Sequence, residues 1–239
     1  MQTELNGIRL AYEEEGSGPA VMLIHGFPLC RRMWRPQMAA LTAAGYRVVL
    51  PDLRGFGESE TGGESGSMDL LVDDLIALLD HLGIEKAVVG GMSMGGYVLL
   101  NMLARYPRRL AGACFIVTRS DADDDQGRVR RNHLIAEIRA GRAVAVPQAF
   151  VPILFAEETA IRQAALMEEV RQWIVATDPA GLVLGLEAIR DRRDSSGLLP
   201  TLTRPSLVIG AVGDKAIPVE KSTALAEGIP GAQLSLIAS

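Results

Sequence analysis

Cysteine and basic charge are both in short supply. The two cysteines, Cys30 and Cys114, lie far apart and match no metal or redox spacing, so they read as packing residues in a reducing compartment. Lys and Arg number 24 against 29 Asp and Glu, a net charge of −5. That lacks the basic excess a sequence-independent phosphate-binding surface needs, and nucleic acid is not expected as a partner. The start, Met1 to Gly7, has neither a basic n-region nor an apolar h-region, so no signal peptide is expected. Ala87 to Ala104 carries no charge, but it contains Gly90, Gly91, Gly95 and Gly96. A buried strand, a tight turn and a buried helix explain it better than a membrane span. Internal repeats, low-complexity segments and flexible linkers are also missing.

What is present is an ordinary globular composition, 48% hydrophobic and 22% charged over 239 residues. It fits a soluble, cytoplasmic α/β domain with an insertion, large enough to need no disulfide staples. Residues 2–15 read as a hairpin turning at Gly7. Ala20 to Ile24 is a continuous apolar run, the mark of a strand covered on both faces. Residues 33–44 have helical spacing and stop at Gly45; Tyr46 to Leu50 is a strand closed by Pro51. Asp69 to Leu82 is an amphipathic helix with Asp73 and Asp74 on its polar face, ending at Gly83. Lys86–Gly90 and Ala111–Val117 are strands flanking a helix over Met94–Tyr106. Alternation of strand and helix predicts a largely parallel sheet covered on both faces. It breaks over residues 119–197, which are helical throughout. A strand at 206–209, a helix at 219–227 and a strand at 232–238 follow.

The strongest chemical signal is Gly91-Met92-Ser93-Met94-Gly95-Gly96 between an apolar strand and an apolar helix. A nucleophilic Ser on a sharp, strained turn needs flanking residues without side chains, and Ser93 has them. The competing reading is a Gly-rich packing turn as in a dinucleotide site, but no G-x-G-x-x-G is present. His25-Gly26-Phe27-Pro28 follows the buried strand at 20–24. In this setting the Phe27 and Met94 backbone N–H groups form an oxyanion hole, and His25 orders the loop and is not the base. Pro51-Asp52-Leu53-Arg54-Gly55-Phe56-Gly57-Glu58-Ser59 suits a tightly hydrogen-bonded loop. Asp214, after the strand at 206–209, is placed to hold an imidazole in its working tautomer.

HGFP, PDLRGFGES, GGMSMGG and the late Asp, in this order and spacing, resemble the α/β-hydrolase superfamily. Within it the chain is similar to 3-oxoadipate enol-lactonases and related small carboxylesterases, on Val117 to Asp123 and Ile174 to Pro179. The resemblance implies an eight-stranded-type, mostly parallel sheet flanked by helices. It implies a core of residues 1–118 and 198–239 and a helical cap, 119–197, inserted after the sixth strand. It also implies hydrolysis of a small ester or lactone through an acyl-enzyme, with no cofactor and no metal.

The family's third triad member, a His after the last strand, has no counterpart before Ser239. His81 reads as a helix-end residue and His133 as a solvated one. The expectation is therefore near-inactivity for the chain as written, because a base-less Ser is a weak nucleophile. A tail lost from the chain, or one swapped from a partner copy, would supply the residue; homo-oligomerisation stays open. Trp173 and Ile153 are candidate pocket residues, with cap packing as the alternative. Arg119 is a candidate partner for a substrate carboxylate. Asp121, Asp123, Asp124 and Asp125 ahead of Arg128, Arg130 and Arg131 read as a solvated helix and not a metal site. The alternatives to esterase action are a non-catalytic binding scaffold and a cofactor-free haloperoxidase or perhydrolase. Dehalogenation is disfavoured because it uses a carboxylate where Ser93 stands.

Overall fold

The computed structural model describes residues 1–238. Eight strands form one sheet in the spatial order β1-β2-β4-β3-β5-β6-β7-β8. They are β1 (Gln2–Leu5), β2 (Ile8–Glu15), β3 (Ala20–Ile24), β4 (Arg47–Pro51), β5 (Ala87–Met92), β6 (Leu110–Ile116), β7 (Ser206–Ala211) and β8 (Gln233–Ile237). The first two pairings, β1 with β2 and β2 with β4, are antiparallel, and all later ones are parallel. The uncharged stretch from Ala87 divides into β5 and a helix at Met94, as its glycines require. No helix among the described residues is long and apolar enough to cross a membrane.

Helices α1 (Arg35–Ala43), α2 (Met68–His81) and α3 (Met94–Arg105) follow β3, β4 and β5, each crossing back to start the next strand. The Ser67 hydroxyl caps α2 by accepting from the Leu70 N–H at 3.1 Å. Gly45 and Gly83, just past α1 and α2, have φ of 88° and 64°, the left-handed conformation that closes a helix. The main apolar core joins α2 and α3 to Val89, Ala113, Phe115 and Val208 on one sheet face. A smaller cluster, with Trp34 and Met38 against Val21, Leu23, Val48 and Leu50, holds α1 on the other. Burial pushes the Cys30 and Cys114 thiols up to about 11, where a thiolate is scarce.

Between β6 and β7 lie α4 (Asp125–Arg139), α5 (Ala145–Leu154), α6 (Glu157–Arg162), α7 (Ala164–Val175) and α8 (Pro179–Arg190). The Asp124 carboxylate caps α4, accepting from the Gly127 N–H at 2.7 Å. Asp178 does the same for α8 through the Ala180 N–H. The two ends of the insertion are tied together: the Ser195 N–H donates to the Ser120 carbonyl at 2.9 Å. The Ser120 and Ser196 hydroxyls meet at 3.0 Å. A last helix, α9 (Val219–Gly228), returns the chain to β8.

Two acidic residues expected on solvated faces are buried. Asp74, on α2, accepts both Nε and Nη2 of Arg54 at 2.7 Å, and both side chains are almost fully enclosed. Asp123 takes Arg119 at 2.6 Å, Arg192 at 2.9 Å and Arg131 at 3.3 Å. Burial alone would raise the Asp123 carboxyl, but the Arg192, Arg131 and Arg119 charges outweigh it and hold it below the ordinary range.

Candidate active site

Ser93 sits at the junction of β5 and α3 with φ 49° and ψ −112°, a backbone conformation that costs a non-glycine residue of order 1–3 kcal/mol. The crowding around it explains the glycines. A Cβ on Gly95 would run into the Ile24 carbonyl oxygen and come to 2.9 Å from that of His25. One on Gly96 would strike the Thr118 side chain. The Ser93 N–H donates to the Ile116 carbonyl at 3.0 Å. Its carbonyl accepts from the Gly96 N–H at 2.9 Å and from the Thr118 hydroxyl at 2.8 Å.

The turn after β3 comes close to this elbow: a Cβ on Gly26 would stand 3.5 Å from that of Ser93. Neither the Phe27 N–H nor the Met94 N–H donates to a protein acceptor among the described residues. Phe27 is wedged between Phe56, at 5.9 Å between ring centroids, and Phe150 of α5, at 5.1 Å. An inserted helix therefore lies over the turn that carries the Phe27 amide.

His25 is fully buried beneath that turn. Its Nε2 accepts from the Leu53 N–H at 3.0 Å, which leaves the proton on Nδ1 to donate to the Gly26 carbonyl. Burial lowers its pKa against the opposing charge of Asp52. Both ring nitrogens are committed to the backbone, so this imidazole orders a loop and has none free for Ser93. The neighbouring segment is pinned as tightly. The Asp52 carboxylate accepts from the Arg31 N–H at 2.7 Å and the Glu58 N–H at 2.9 Å, and pairs with the Arg31 guanidinium.

Asp214 follows β7. Its Oδ1 accepts from the Ala216 and Ile217 N–H groups at 2.7 and 2.6 Å, an arrangement that fixes the carboxylate and leaves Oδ2 without a protein donor among the described residues. His81 ends α2, at the side of the sheet where β5 begins, and His133 is exposed on α4. Neither is hydrogen-bonded to Ser93 or Asp214.

A cavity of about 520 Å³ opens beside the elbow, between the segment after β3 and the inserted helices. Its walls include Leu29, Met33, Met92, Leu154, Phe155 and Trp173, with Arg32, Arg35 and Glu169 as its charged members. Trp173 thus lines the space beside Met92, the residue before Ser93. Ile153 is half-buried and is not one of the residues that wall this cavity. Arg119 does not border the cavity; it is engaged with Asp123. Sequence reasoning missed Met92 and Thr118. Met92 stands inside the G-x-S-x-G string, but Thr118 is legible only once β6 is known to run beside β5.

The chain belongs to the α/β hydrolase fold family, whose profile matches residues 19–239. A thermophilic esterase from Thermogutta terrifontis is 37% identical with a TM-score of 0.94, covering 99% of this chain and 88% of that one. The enol-lactonase from Burkholderia xenovorans LB400 is 28% identical with a TM-score of 0.92, covering 99% and 91%. Bifunctional epoxide hydrolase 2 of Sus scrofa is 41% identical over 114 residues, 47% of this chain and 20% of that protein. The chain matches a fifth to a third of the length of the first such curated relatives.

Proposed function

We propose that the site is built for hydrolysis of small carboxylic esters or lactones through an acyl-enzyme on Ser93. The observation that carries this is the juxtaposition of a strained Ser93 with two unpaired backbone N–H groups, those of Phe27 and Met94. In the forward step the Ser93 Oγ attacks the substrate carbonyl. The negative charge that develops on the carbonyl oxygen falls to the two amides, each worth on the order of 3 kcal/mol of barrier. Collapse of the tetrahedral species expels the alcohol, or opens the lactone, and water then releases the acid. Residues 119–197 act as a cap over a core of 1–118 and 198–239, and the cavity walled by Trp173 and Met92 takes the apolar part of the substrate.

Chemistry separates this reading from epoxide opening. A Ser attacking the sp³ carbon of an epoxide would leave an ether, which water does not cleave; only a carboxylate nucleophile leaves an ester there. The similarity to epoxide hydrolases is thus read as shared scaffold, and fold alone does not transfer their chemistry. Ester hydrolysis needs a general base, and none of the three histidines of this chain serves Ser93. Asp214, with Oδ1 fixed and Oδ2 open, is suited to orient an imidazole. Without one, turnover falls by about 10⁶. The cavity of about 520 Å³ also supports a second reading, a scaffold that binds small molecules there without turnover.

Intact mass after exposure to an alkyl fluorophosphonate, with and without added imidazole, decides between them. The hydrolase reading expects one adduct on Ser93, formed faster with imidazole and abolished by Ser93→Ala. An adduct that survives Ser93→Ala refutes the assignment, and no adduct under either condition leaves the binding scaffold standing.

A further inference from the structure

The end of β6 grips the elbow at two points. The Ser93 N–H donates to the Ile116 carbonyl at 3.0 Å, and two residues on the Thr118 hydroxyl donates to the Ser93 carbonyl at 2.8 Å. The backbone at residue 117 departs from the strand between these two contacts. Val117 has φ 43°, left-handed backbone that a β-branched side chain rarely adopts, while its N–H continues the ladder to the Ile209 carbonyl at 2.8 Å. In a regular parallel ladder the residue opposite 117 is held by the carbonyl of 116 and the N–H of 118; here the Thr118 hydroxyl, and not its N–H, makes the second contact. The turn at Val117 folds residue 118 back over the start of α3, into the space a side chain on residue 96 would fill.

Thr118 is buried, and the Ser93 carbonyl is the acceptor its hydroxyl has. That carbonyl already accepts from the Gly96 N–H at 2.9 Å and, more weakly, from the Tyr97 N–H at 3.3 Å. The helix therefore does not need a third donor. What the third donor adds is direction: it fixes the plane of the Ser93–Met94 peptide. The other side of that peptide is the Met94 N–H, half of the candidate oxyanion hole. One hydroxyl thus bears on both the backbone angle of Ser93 and the aim of the amide next to it.

From this geometry we infer that Thr118 is a positioning residue for the Ser93–Met94 peptide, acting through its hydroxyl and held in place by the strained turn at Val117. The inference rests on the reading of Ser93 as nucleophile. It concerns the rate of the bond-forming step and not the affinity of the cavity.

The test is the kinetics of Ser93 phosphonylation by an alkyl fluorophosphonate in the presence of imidazole, resolved into the maximal rate constant and the half-saturating concentration. Thr118→Val removes the donor at nearly constant volume, and Thr118→Ser restores it. The expected result is a maximal rate lowered by about 10- to 100-fold in Thr118→Val, the scale of loss that sub-ångström misalignment brings. The half-saturating concentration should stay unchanged, and Thr118→Ser should lie within about threefold of the parent. Thr118→Ala serves if the valine variant does not fold, with the same expectation. A purely structural role would lower the melting temperature and the fraction of sites labelled, while competent sites would react at the parental rate; that result overturns the inference. So does a serine variant as slow as the valine one. Failure of the parent chain to label, or labelling that persists in Ser93→Ala, refutes the nucleophile itself, and the inference falls with it.

Discussion

Removing Arg54 should unfold this protein more readily than its place in a loop suggests. The guanidinium reaches α2 and donates twice to the Asp74 carboxylate, with both bonds at 2.7 Å and side-chain exposures of 2% and 1%. Arg54→Met preserves the aliphatic volume and leaves Asp74 buried, with Asn6 Nδ2 at 3.0 Å as its remaining side-chain donor. Breaking one side of a buried ion pair costs about 3–5 kcal/mol. In a domain of this size each kcal/mol moves the melting temperature by about 2–4 °C. The expected drop is therefore about 6–20 °C by calorimetry. The double variant Arg54→Met/Asp74→Leu should recover most of it, because the desolvation of two charges largely offsets their attraction. A single variant that loses less than about 1 kcal/mol in urea titration would place the pair among screened surface bridges and refute the reasoning. A double variant no better than the single one would show that loop geometry, and not the orphaned charge, sets the cost.

Two further outcomes follow from the neighbourhood of the elbow. His25 is neutral in the fold and its pKa lies below the ordinary value, with burial as the main cause. Between that lowered value and about 6.5 the unfolded chain binds a proton that the native one refuses, so stability falls as pH drops through this window and levels off below it. Urea titrations at pH 7.5 and 5.5 should show the loss, and His25→Gln should reduce it; an unchanged slope in that variant removes His25 as the cause. Gly95→Ala should cost about 1–3 kcal/mol and abolish fluorophosphonate labelling, because the new methyl is driven against the Ile24 and His25 carbonyls. Wild-type stability and labelling in that variant would contradict the packing described here.

The parts of the fold that rest on local rules were readable in the chain. The buried runs at Ala20–Ile24 and Val48–Leu50 are strands, and Gly45 and Gly83 end helices at positive φ. Ser93 lies on a strand–turn–helix junction, because the glycines around it leave few other uses for such a string. Spatial order was less readable, since β4 and β3 exchange places in the sheet relative to the chain. Least readable were charges whose partners are remote. Asp123 looked like one of four solvated acids, yet Arg192, 69 positions away, removes it from water. Arg119, a candidate partner for a substrate carboxylate, is paired with the same Asp123 and does not border the cavity. Nothing in helical periodicity marks which acid of such a run turns inward.

The tied stem of the inserted helices has a consequence for how this family can vary. Closing a loop costs entropy that grows only with the logarithm of its length, so most of the cost is met once its ends are joined. Here they are joined by the Ser120–Ser195 backbone bond and by Arg192, which binds Asp123 and lies over the Tyr97 ring of α3 at 4.2 Å. Beyond that clasp, helices can be lengthened, shortened or replaced at an added cost of tenths of a kcal/mol to the closure, on the order of 0.6 for each doubling. On the proposed reading of Ser93 as nucleophile, the inserted helices become an exchangeable part, free to diverge while the strained turn beneath them stays the same.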